Sequence, residues 1–463
     1  MPVRIEHAVD SAAVATAGKR LYVKSYGCQM NVYDGLRMVD LLSPLGYTLQ
    51  DDYTGADLII LNTCHIREKA DDKVFSDIGR MKKEAAAGAI IAVGGCTGQA
   101  MGADIMRQSP AVSIVFGPQT YHRLPDYIAK VEHGRATLGK FNVPIRVTDT
   151  DFPELEKFDK LPPAGLYGPS AFLTIQEGCD KFCTYCVVPY TRGAEISRPA
   201  ADIVAEAESL AAQGAKELYL LGQNVNAYHG DDGHGGTVSL AKLFEELGKI
   251  EGIERLRFTT SHPMNTTDDL IDCFVSNPKV MPFFHLPVQA GSNRILRAMN
   301  RSHTVESYLE TLAKVRQVRP DIALSGDFIV GFPGETEEDY QQTLAIAHAA
   351  GYVYAYSFIY SPRPGTPAAE LPDQVPEDVK KERLAGLQAV LDDNQARFNQ
   401  QFLHTTQPVL AEGLNEKGQL FGRSPHNISV NFSMAGATTQ HIGQTFNVHI
   451  TEARQKSLLG KVG

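Results

Sequence analysis

Residues 177–193 read EGCDKFCTYCVVPYTRG, which places Cys179, Cys183 and Cys186 within eight positions of a chain that has only seven cysteines in 463 residues. At that frequency the spacing arises by chance roughly 0.002 times per chain, so stray buried thiols do not explain it. The preceding run, AFLTIQ, reads as a strand, and five more follow: KELYLLG, RLRFTTS, FFHLPVQ, IALSGDFIVG and VYAYSFIY. Helical stretches separate them near 200–213, 239–250, 266–275, 291–299, 304–317 and 336–350. Six βα units predict a partial or open (β/α)6 barrel, two short of the closed eight-stranded form, over residues 165–398. The cysteine triplet then occupies the barrel's catalytic rim.

Upstream, LYVKSYG, DLIILNT, AIIAVGG and VSIVFG alternate with helical stretches near 33–42 and 66–83 and with YHRLPDYIAKV. That alternation predicts an open parallel α/β domain over 19–135. Cys28, Cys64 and Cys96 each follow one of its strands, which puts them on loops at the carboxyl edge of the sheet, where ligands bind. Residues 136–164 are rich in proline, acid and turn formers and read as a linker. Beyond the barrel, SPRPGTPAAELPDQVPEDV breaks the pattern before a charged helix near 380–402. QPVLAEG, GQLFGRS, NISVNF, QTFNVHIT and SLLGKV then predict a small five-stranded β-barrel of the oligonucleotide-binding type over 399–463.

With 43% hydrophobic and 21% charged residues the composition is globular. No apolar run approaches the length of a membrane span. The first 20 residues lack a continuous apolar core and carry Glu6 and Asp10, so they read as the polar leader of a cytoplasmic protein. The net charge of −10 argues against nucleic-acid binding over the whole surface. From Gln400 onward, however, five Lys or Arg stand against three Glu, a balance of +2, and Arg423, Arg454 and Lys456 are the candidate RNA contacts.

Three thiolates at the triplet's spacing suit a [4Fe–4S] cluster with one iron left open. Structural zinc takes four ligands, and no fourth Cys or His stands at a finger-like distance; His262 and His285 read as satisfied polar residues. An open iron can be chelated by the amine and carboxylate of S-adenosylmethionine, whose sulfonium one electron can cleave to a radical. Gln223, Gln289 and Asp327, at carboxyl ends of barrel strands, are candidate contacts to that cofactor, with loop-shaping hydrogen bonds as the alternative.

Cys179-x3-Cys183-x2-Cys186 on the first βα loop of a six-unit barrel resembles the radical S-adenosylmethionine enzymes. With three more cysteines upstream, the small C-terminal barrel, and GCQMNVYDG, NTCHIREKA, CTYCVVPYTRG, LLGQNVNAY, FTTSHP and FIVGFPGET, the chain from about residue 20 to 463 resembles the methylthiotransferases. The C-terminal piece is similar to their TRAM domain.

The resemblance implies that Cys28, Cys64 and Cys96 hold an auxiliary [4Fe–4S] cluster and the triplet holds the radical cluster. It implies two uses of S-adenosylmethionine, as methyl donor and as radical source. Tyr185 would lie near the adenine, with plain packing as the alternative. The implied substrate is a tRNA prenylated on the adenosine beside the anticodon. The implied partners are a reductase, flavodoxin or ferredoxin-type electron donor, no membrane and no second protomer. A ribosomal-protein aspartate and threonylcarbamoyl-adenosine are alternative substrates, and a non-catalytic RNA-binding iron–sulfur carrier is the reading from another class. Cys273 matches neither set and reads as a buried thiol. FIVGFPGET lacks the GK[ST] element of a phosphate loop. The insert HGDDGHGG, with His229 and His234, reads as a mobile surface loop.

Overall fold

A strand buried on both faces must be apolar along its whole length, and LIILNT at Leu58–Thr63 is buried at every position. In the computed structural model, which describes residues 18–65, 68–138, 145–153 and 156–462, that strand lies inside a six-stranded sheet. Two units make up the chain. The first runs to Gly165 and includes Glu177–Asp180 and Val187–Ile196. The second holds Leu166–Gln176, Lys181–Cys186 and everything from Ser197.

The first unit runs β1 (Lys19–Ser25), α1 (Gln29–Leu42), β2 (Tyr47–Leu49), β3 (Leu58–Thr63), α2 (Glu68–Glu84), β4 (Ile90–Gly94), α3 (Gly95–Met101), β5 (Ile114–Phe116), α4 (Leu124–Leu138) and β6 (Val147–Asp149). The strand order is β2-β1-β3-β4-β5-β6, parallel throughout. Ile59, Leu61, Ile91 and Val93 pack against Val74, Ile78 and Met81 of α2. The sequence reading missed β2 and β6, because three residues carry too little alternation to signal a strand. β6 also changes the reading of 136–164: this stretch is no free linker, since Val147–Asp149 forms an edge strand and the Lys157 amine is buried against Glu177.

The six strands expected of the second unit are all present: β7 (Ser170–Thr174), β8 (Glu217–Leu221), β9 (Arg255–Phe258), β10 (Phe283–His285), β11 (Ala323–Val330) and β12 (Tyr354–Ile359). The helices among them are α5 (Ala200–Ala212), α6 (Leu240–Gly248), α7 (Asp268–Ser276), α8 (Asn293–Ala298), α9 (Val305–Val318) and α10 (Glu337–Ala350). Capping boxes at Thr304 and Thr336 start α9 and α10.

The strands do not form one ladder. They make two parallel sheets, β9-β8-β7 and β10-β11-β12. A bridge at Leu256 and Val280 joins them, with the Leu256 N–H donating to Lys279 O at 2.7 Å and the Met281 N–H to Leu256 O at 3.0 Å. Pro282 and Pro287 bracket β10, and a residue without an N–H cannot extend a ladder there.

After α11 (Glu377–Gln400) come β13 (Thr406–Leu414), β14 (Leu420–Arg423), β15 (Ser429–Ser433), β16 (Thr445–Ala453) and β17 (Leu458–Val462). They close into a barrel in the order β13-β14-β15-β17-β16, filled by Val409, Leu420, Val430, Phe432, Val448 and Ile450. Two arginines of β9 seat it. Arg255 donates to Arg423 O (2.7 Å) and Pro408 O (3.0 Å), and Arg257 to Pro425 O (2.7 Å) and Ser424 O (2.8 Å). The Arg257 Nε also pairs with Glu217 at 2.7 Å, both side chains fully buried.

The insert HGDDGHGG is an ordered hairpin rather than a mobile loop. His229–Asp231 pairs with Thr237–Ser239, and the Asp232 carboxylate receives the His234 and Gly236 N–H groups at 2.7 and 2.9 Å. Among the described residues no helix is long and apolar enough to cross a membrane.

Candidate metal centres

In the first unit the carboxyl ends of β1, β3 and β4 lead straight into Cys28, Cys64 and Cys96. Cys28 is the N-cap of α1, and Cys64 follows the last residue of β3. Cys96 differs from expectation: it lies in the first turn of α3, because Gly95 turns the chain from strand to helix with no loop between. Gly95 has φ +84°, and a Cβ there would lie 2.4 Å from Thr63 O. Gly27, at φ +91°, packs so closely on the second loop that a Cβ would stand 2.3 Å from the Cys64 Cβ. Asn31 ties these loops together. Its Nδ2 donates to Tyr26 O at 2.7 Å and Thr63 O at 3.0 Å, and its carbonyl receives Asn62 Nδ2 at 2.6 Å.

Burial pushes the Cys28 thiol up, and the Arg192 guanidinium opposes that shift. Helix N-termini at Cys28 and Cys96 also favour thiolates through their dipoles and unpaired N–H groups. All seven cysteines are free thiols. Among the described residues no three His, Cys, Asp or Glu side chains converge tightly enough to hold a single metal ion. A cubane presents its irons at separate corners, so its thiolates stand farther apart than the ligands of one ion. Three half-buried or buried cysteines at adjacent strand ends, two of them at helix N-termini, fit a [4Fe–4S] cluster.

The triplet is built locally. Within the first unit, the Cys179 N–H donates to Gly193 O at 3.2 Å. Gly178, at φ +74°, passes so near Ala194 that a Cβ would lie 1.8 Å from its carbonyl oxygen. Within the second unit, Cys183 is buried, and Arg301 Nη1 donates to its sulfur at 3.7 Å while Arg301 Nη2 donates to Pro287 O at 2.7 Å. The Cys186 N–H donates to Cys183 O at 2.9 Å, and the Thr184 N–H to Met299 O at 3.1 Å. Phe182 sits at φ +46° with its carbonyl held by Asn300 Nδ2 at 3.0 Å. Such strain persists only where surroundings impose it. Cys183 and Cys186 of the second unit, with a cation on the buried Cys183 sulfur, suit the thiolate ligation of a cluster.

Tyr185 packs on Ala290, Ile295, Leu296, Phe332 and Tyr360, and burial pushes its phenol well up beside Cys183, Arg301 and Asp327. Gln289 is buried at φ +77°, and its N–H donates to Asp327 O at 2.9 Å. Gln223 is held through its backbone N–H, which donates to Gln176 Oε1 at 2.8 Å. His285 receives the Thr260 N–H at 3.0 Å and stands 3.4 Å from Asp327, and His262 receives the Met264 N–H at 3.3 Å. Burial, with Arg301 next, pulls His262 down to about 2. Cys273 is a buried thiol donating to Asp269 O at 3.3 Å.

In the C-terminal barrel, Arg454 is exposed and paired with Glu452 at 2.8 Å, and Lys456 is exposed. Arg423 instead turns toward Glu412, 3.8 Å away, and donates to Asn427 O at 3.2 Å.

The sequence reading missed Arg192 and Arg301. Arg192 lies just beyond the triplet, in PYTRG, and Arg301 lies far from it in sequence, in MNRSH, and an arginine in a loop has no spacing that separates a buried guanidinium from a solvated one.

The Radical SAM superfamily matches residues 173–347, Uncharacterized protein family UPF0004 matches 20–117, and the TRAM domain matches 400–462. A tRNA-2-methylthio-N(6)-dimethylallyladenosine synthase of Sphingopyxis alaskensis is 54% identical over 442 residues, 95% of this chain and 97% of that one. A synthase of the same name from Zymomonas mobilis is 51% identical over 444 residues, 96% of each chain. Among solved structures, the radical S-adenosylmethionine methyltransferase TsrM from Kitasatospora setae is similar at a TM-score of 0.52 and 16% identity, covering 76% of this chain and 77% of that one, a likeness of fold alone.

Proposed function

The chain belongs to the family of tRNA-2-methylthio-N(6)-dimethylallyladenosine synthases, and from that premise we propose how its residues divide the reaction. The activity is methylthiolation of carbon 2 of N(6)-dimethylallyladenosine beside the anticodon of tRNA, and the cofactors are S-adenosylmethionine and two [4Fe–4S] clusters. Carbon 2 of an adenine is not acidic enough for an ordinary base, so its C–H bond calls for a radical. When bound, S-adenosylmethionine on its cluster supplies that radical and, in a second use, the methyl group, and the other cluster supplies sulfur.

Cys179, Cys183 and Cys186 hold the radical cluster, with Arg301 fixing Cys183 through its hydrogen bond to the sulfur. Cys28, Cys64 and Cys96 hold the sulfur-donating cluster. Gln223 and Gln289, just past strand ends, and Asp327, inside β11 rather than at its end and joined to Gln289 backbone to backbone, present polar groups toward S-adenosylmethionine, with Tyr185 walling the site. The C-terminal barrel grips RNA through Arg454, Lys456 and Arg423, the first and last of which also pair with Glu452 and Glu412. With Val147–Asp149 in the first sheet, the N-terminal domain extends to about Gly165, followed by the radical core to 398 and the TRAM barrel from 399. The protein works in the cytoplasm as a monomer, fed by a flavodoxin- or ferredoxin-type donor.

One observation carries this reading against a cluster carrier: there are two separate three-cysteine sets, each opening from the carboxyl ends of parallel strands. A carrier needs one. The test is anaerobic turnover on a prenylated anticodon stem-loop beside the same RNA with unmodified adenosine. The prenylated RNA is expected to react far faster, and equal rates, or turnover only with a ribosomal protein, overturn the substrate assignment.

A further inference from the structure

Against the loops of Cys28 and Cys64 lies a group of buried charges to which the assignments above give no task. Arg192 is 3% exposed, Asp34 1%, Glu177 2% and Lys157 1%. Arg192 Nη2 donates to Asp34 Oδ2 at 2.7 Å and to Asn31 Oδ1 at 3.0 Å, Nη1 stands 3.4 Å from Glu177 Oε1, and Glu177 in turn accepts from the Lys157 amine. The Arg192 carbonyl receives Gln119 Nε2 at 2.9 Å, which fixes its backbone as well.

Burying such a set costs several kcal/mol of desolvation per ion, and apolar residues of similar volume stabilise a fold as well or better. Folding the sheet therefore does not demand it. The attachment point is informative: Asn31 is the side chain that joins the Tyr26 and Thr63 backbones, the residues flanking Cys28 and Cys64. The one-turn helix Val188–Thr191 that delivers Arg192 packs against α3, which carries Cys96. Arg192 is thus tied through Asn31 to the loops of Cys28 and Cys64 and through its own helix to the element that carries Cys96.

We infer that Arg192 is a positioning residue of the Cys28–Cys64–Cys96 cluster, holding the Asn31 joint between its ligand loops and raising the cluster's reduction potential with a fixed buried cation. The inference rests on the reading that these cysteines hold the sulfur-donating cluster. A cluster bound by three thiolates becomes more negative on reduction, so a cation held against its ligand loops favours the reduced form. Asp34 and Glu177 keep the guanidinium aimed. Arg192 lies six residues beyond Cys186 in sequence, so one loop carries the radical triplet and the cation serving the other set.

The test is a redox titration of the anaerobically reconstituted full-length enzyme, followed by electron paramagnetic resonance. Protein with Cys28, Cys64 and Cys96 all replaced by Ala shows the radical cluster's wave alone, which identifies the other. Arg192→Gln should move that wave to lower potential, and Arg192→Lys, which keeps the charge, should restore most of the shift. A wave that stays in place in Arg192→Gln overturns the inference. Should that variant fail to hold its cluster, wild-type protein labelled with 15N-arginine decides. A nitrogen coupling on the auxiliary signal that is lost in labelled Arg192→Lys supports the inference, and its absence from the wild type overturns it. Wild-type protein that binds only about four irons instead strikes the two-cluster reading itself, a failure visible before any variant is made.

Discussion

Cys28, Cys64 and Cys96 are separated by 36 and 32 residues and are brought to one edge by three parallel strands, whereas Cys179, Cys183 and Cys186 are neighbours along the chain. The first set inherits its geometry from the sheet. Its loops approach so closely that Gly27 leaves no room for a Cβ against Cys64, and one asparagine, Asn31, ties two of them. The second set is close along the chain, and its part in the second unit is held from elsewhere in that unit by single contacts, Arg301 on Cys183 and Asn300 on the Phe182 carbonyl. A site assembled by a sheet fails when its packing fails; a site assembled by a loop fails when a ligand is removed.

The largest effects should separate the sets completely. Cys183→Ala is expected to abolish 5′-deoxyadenosine formation, while Cys64→Ala still forms it but inserts no sulfur. Chromatography of the nucleoside products decides, and loss of cleavage in a Cys64→Ala protein that retains its radical cluster would break the division. Replacing Cys28, Cys64 and Cys96 together should lower bound iron from about eight to about four per chain.

The next effect tests the sheet. Gly27→Ala imposes a Cβ at φ +91° against Cys64, a cost of about 1–3 kcal/mol before the clash is counted. Iron should again fall toward about four. Phe182→Gly, which relieves a left-handed residue in the local loop, should keep about eight. If Gly27→Ala keeps its full iron, the sheet does not shape the dispersed site.

Arg301→Gln removes the donor to Cys183 and should lower S-adenosylmethionine cleavage by about 10–100-fold, the usual cost of losing a partner that orients a metal ligand. Single-turnover rates at saturating S-adenosylmethionine would show it. The smallest effect lies outside both sites. Burial raises the Glu412 carboxyl to about 7, although Arg423 opposes it. The folded state therefore holds that proton more tightly than the unfolded chain, and stability falls as pH rises from the ordinary 4.5 through about 7. Glu412→Gln should flatten that fall, seen as a smaller drop in Tm between about pH 5 and pH 8. A steeper drop would place the proton elsewhere.

Much of this was legible in the sequence. The six barrel strands and the five strands of the C-terminal barrel each carry enough apolar residues to set a period, and all are present. The triplet announces itself by spacing. The dispersed cysteines became legible once strands were assigned, because a parallel sheet places successive strand ends on one edge. Three-residue strands such as Tyr47–Leu49 and Val147–Asp149 fall below any periodic signal, and the latter sits among residues whose proline and acid content suggests a linker. The sequence places Cys96 on a loop, because the direct entry from β4 into α3 depends on the φ of Gly95, which composition does not reveal. Arg192, Arg301 and the Glu412 partner of Arg423 are hidden for a common reason: a charged side chain's partners are set by tertiary structure, not by its neighbours in sequence.

The seating of the C-terminal barrel carries one further lesson. Arg255 and Arg257 bind it through the carbonyl oxygens of Pro408, Arg423, Ser424 and Pro425, not through side chains. Every sequence that closes into this barrel offers those same oxygens. The donors are fixed on β9 and these acceptors are generic, so positions 408 and 423–425 can diverge without a compensating change in the host, whereas His426 on Asp321 and Thr445 on Glu254, each at 3.1 Å, are side-chain pairs that a grafted barrel has to keep.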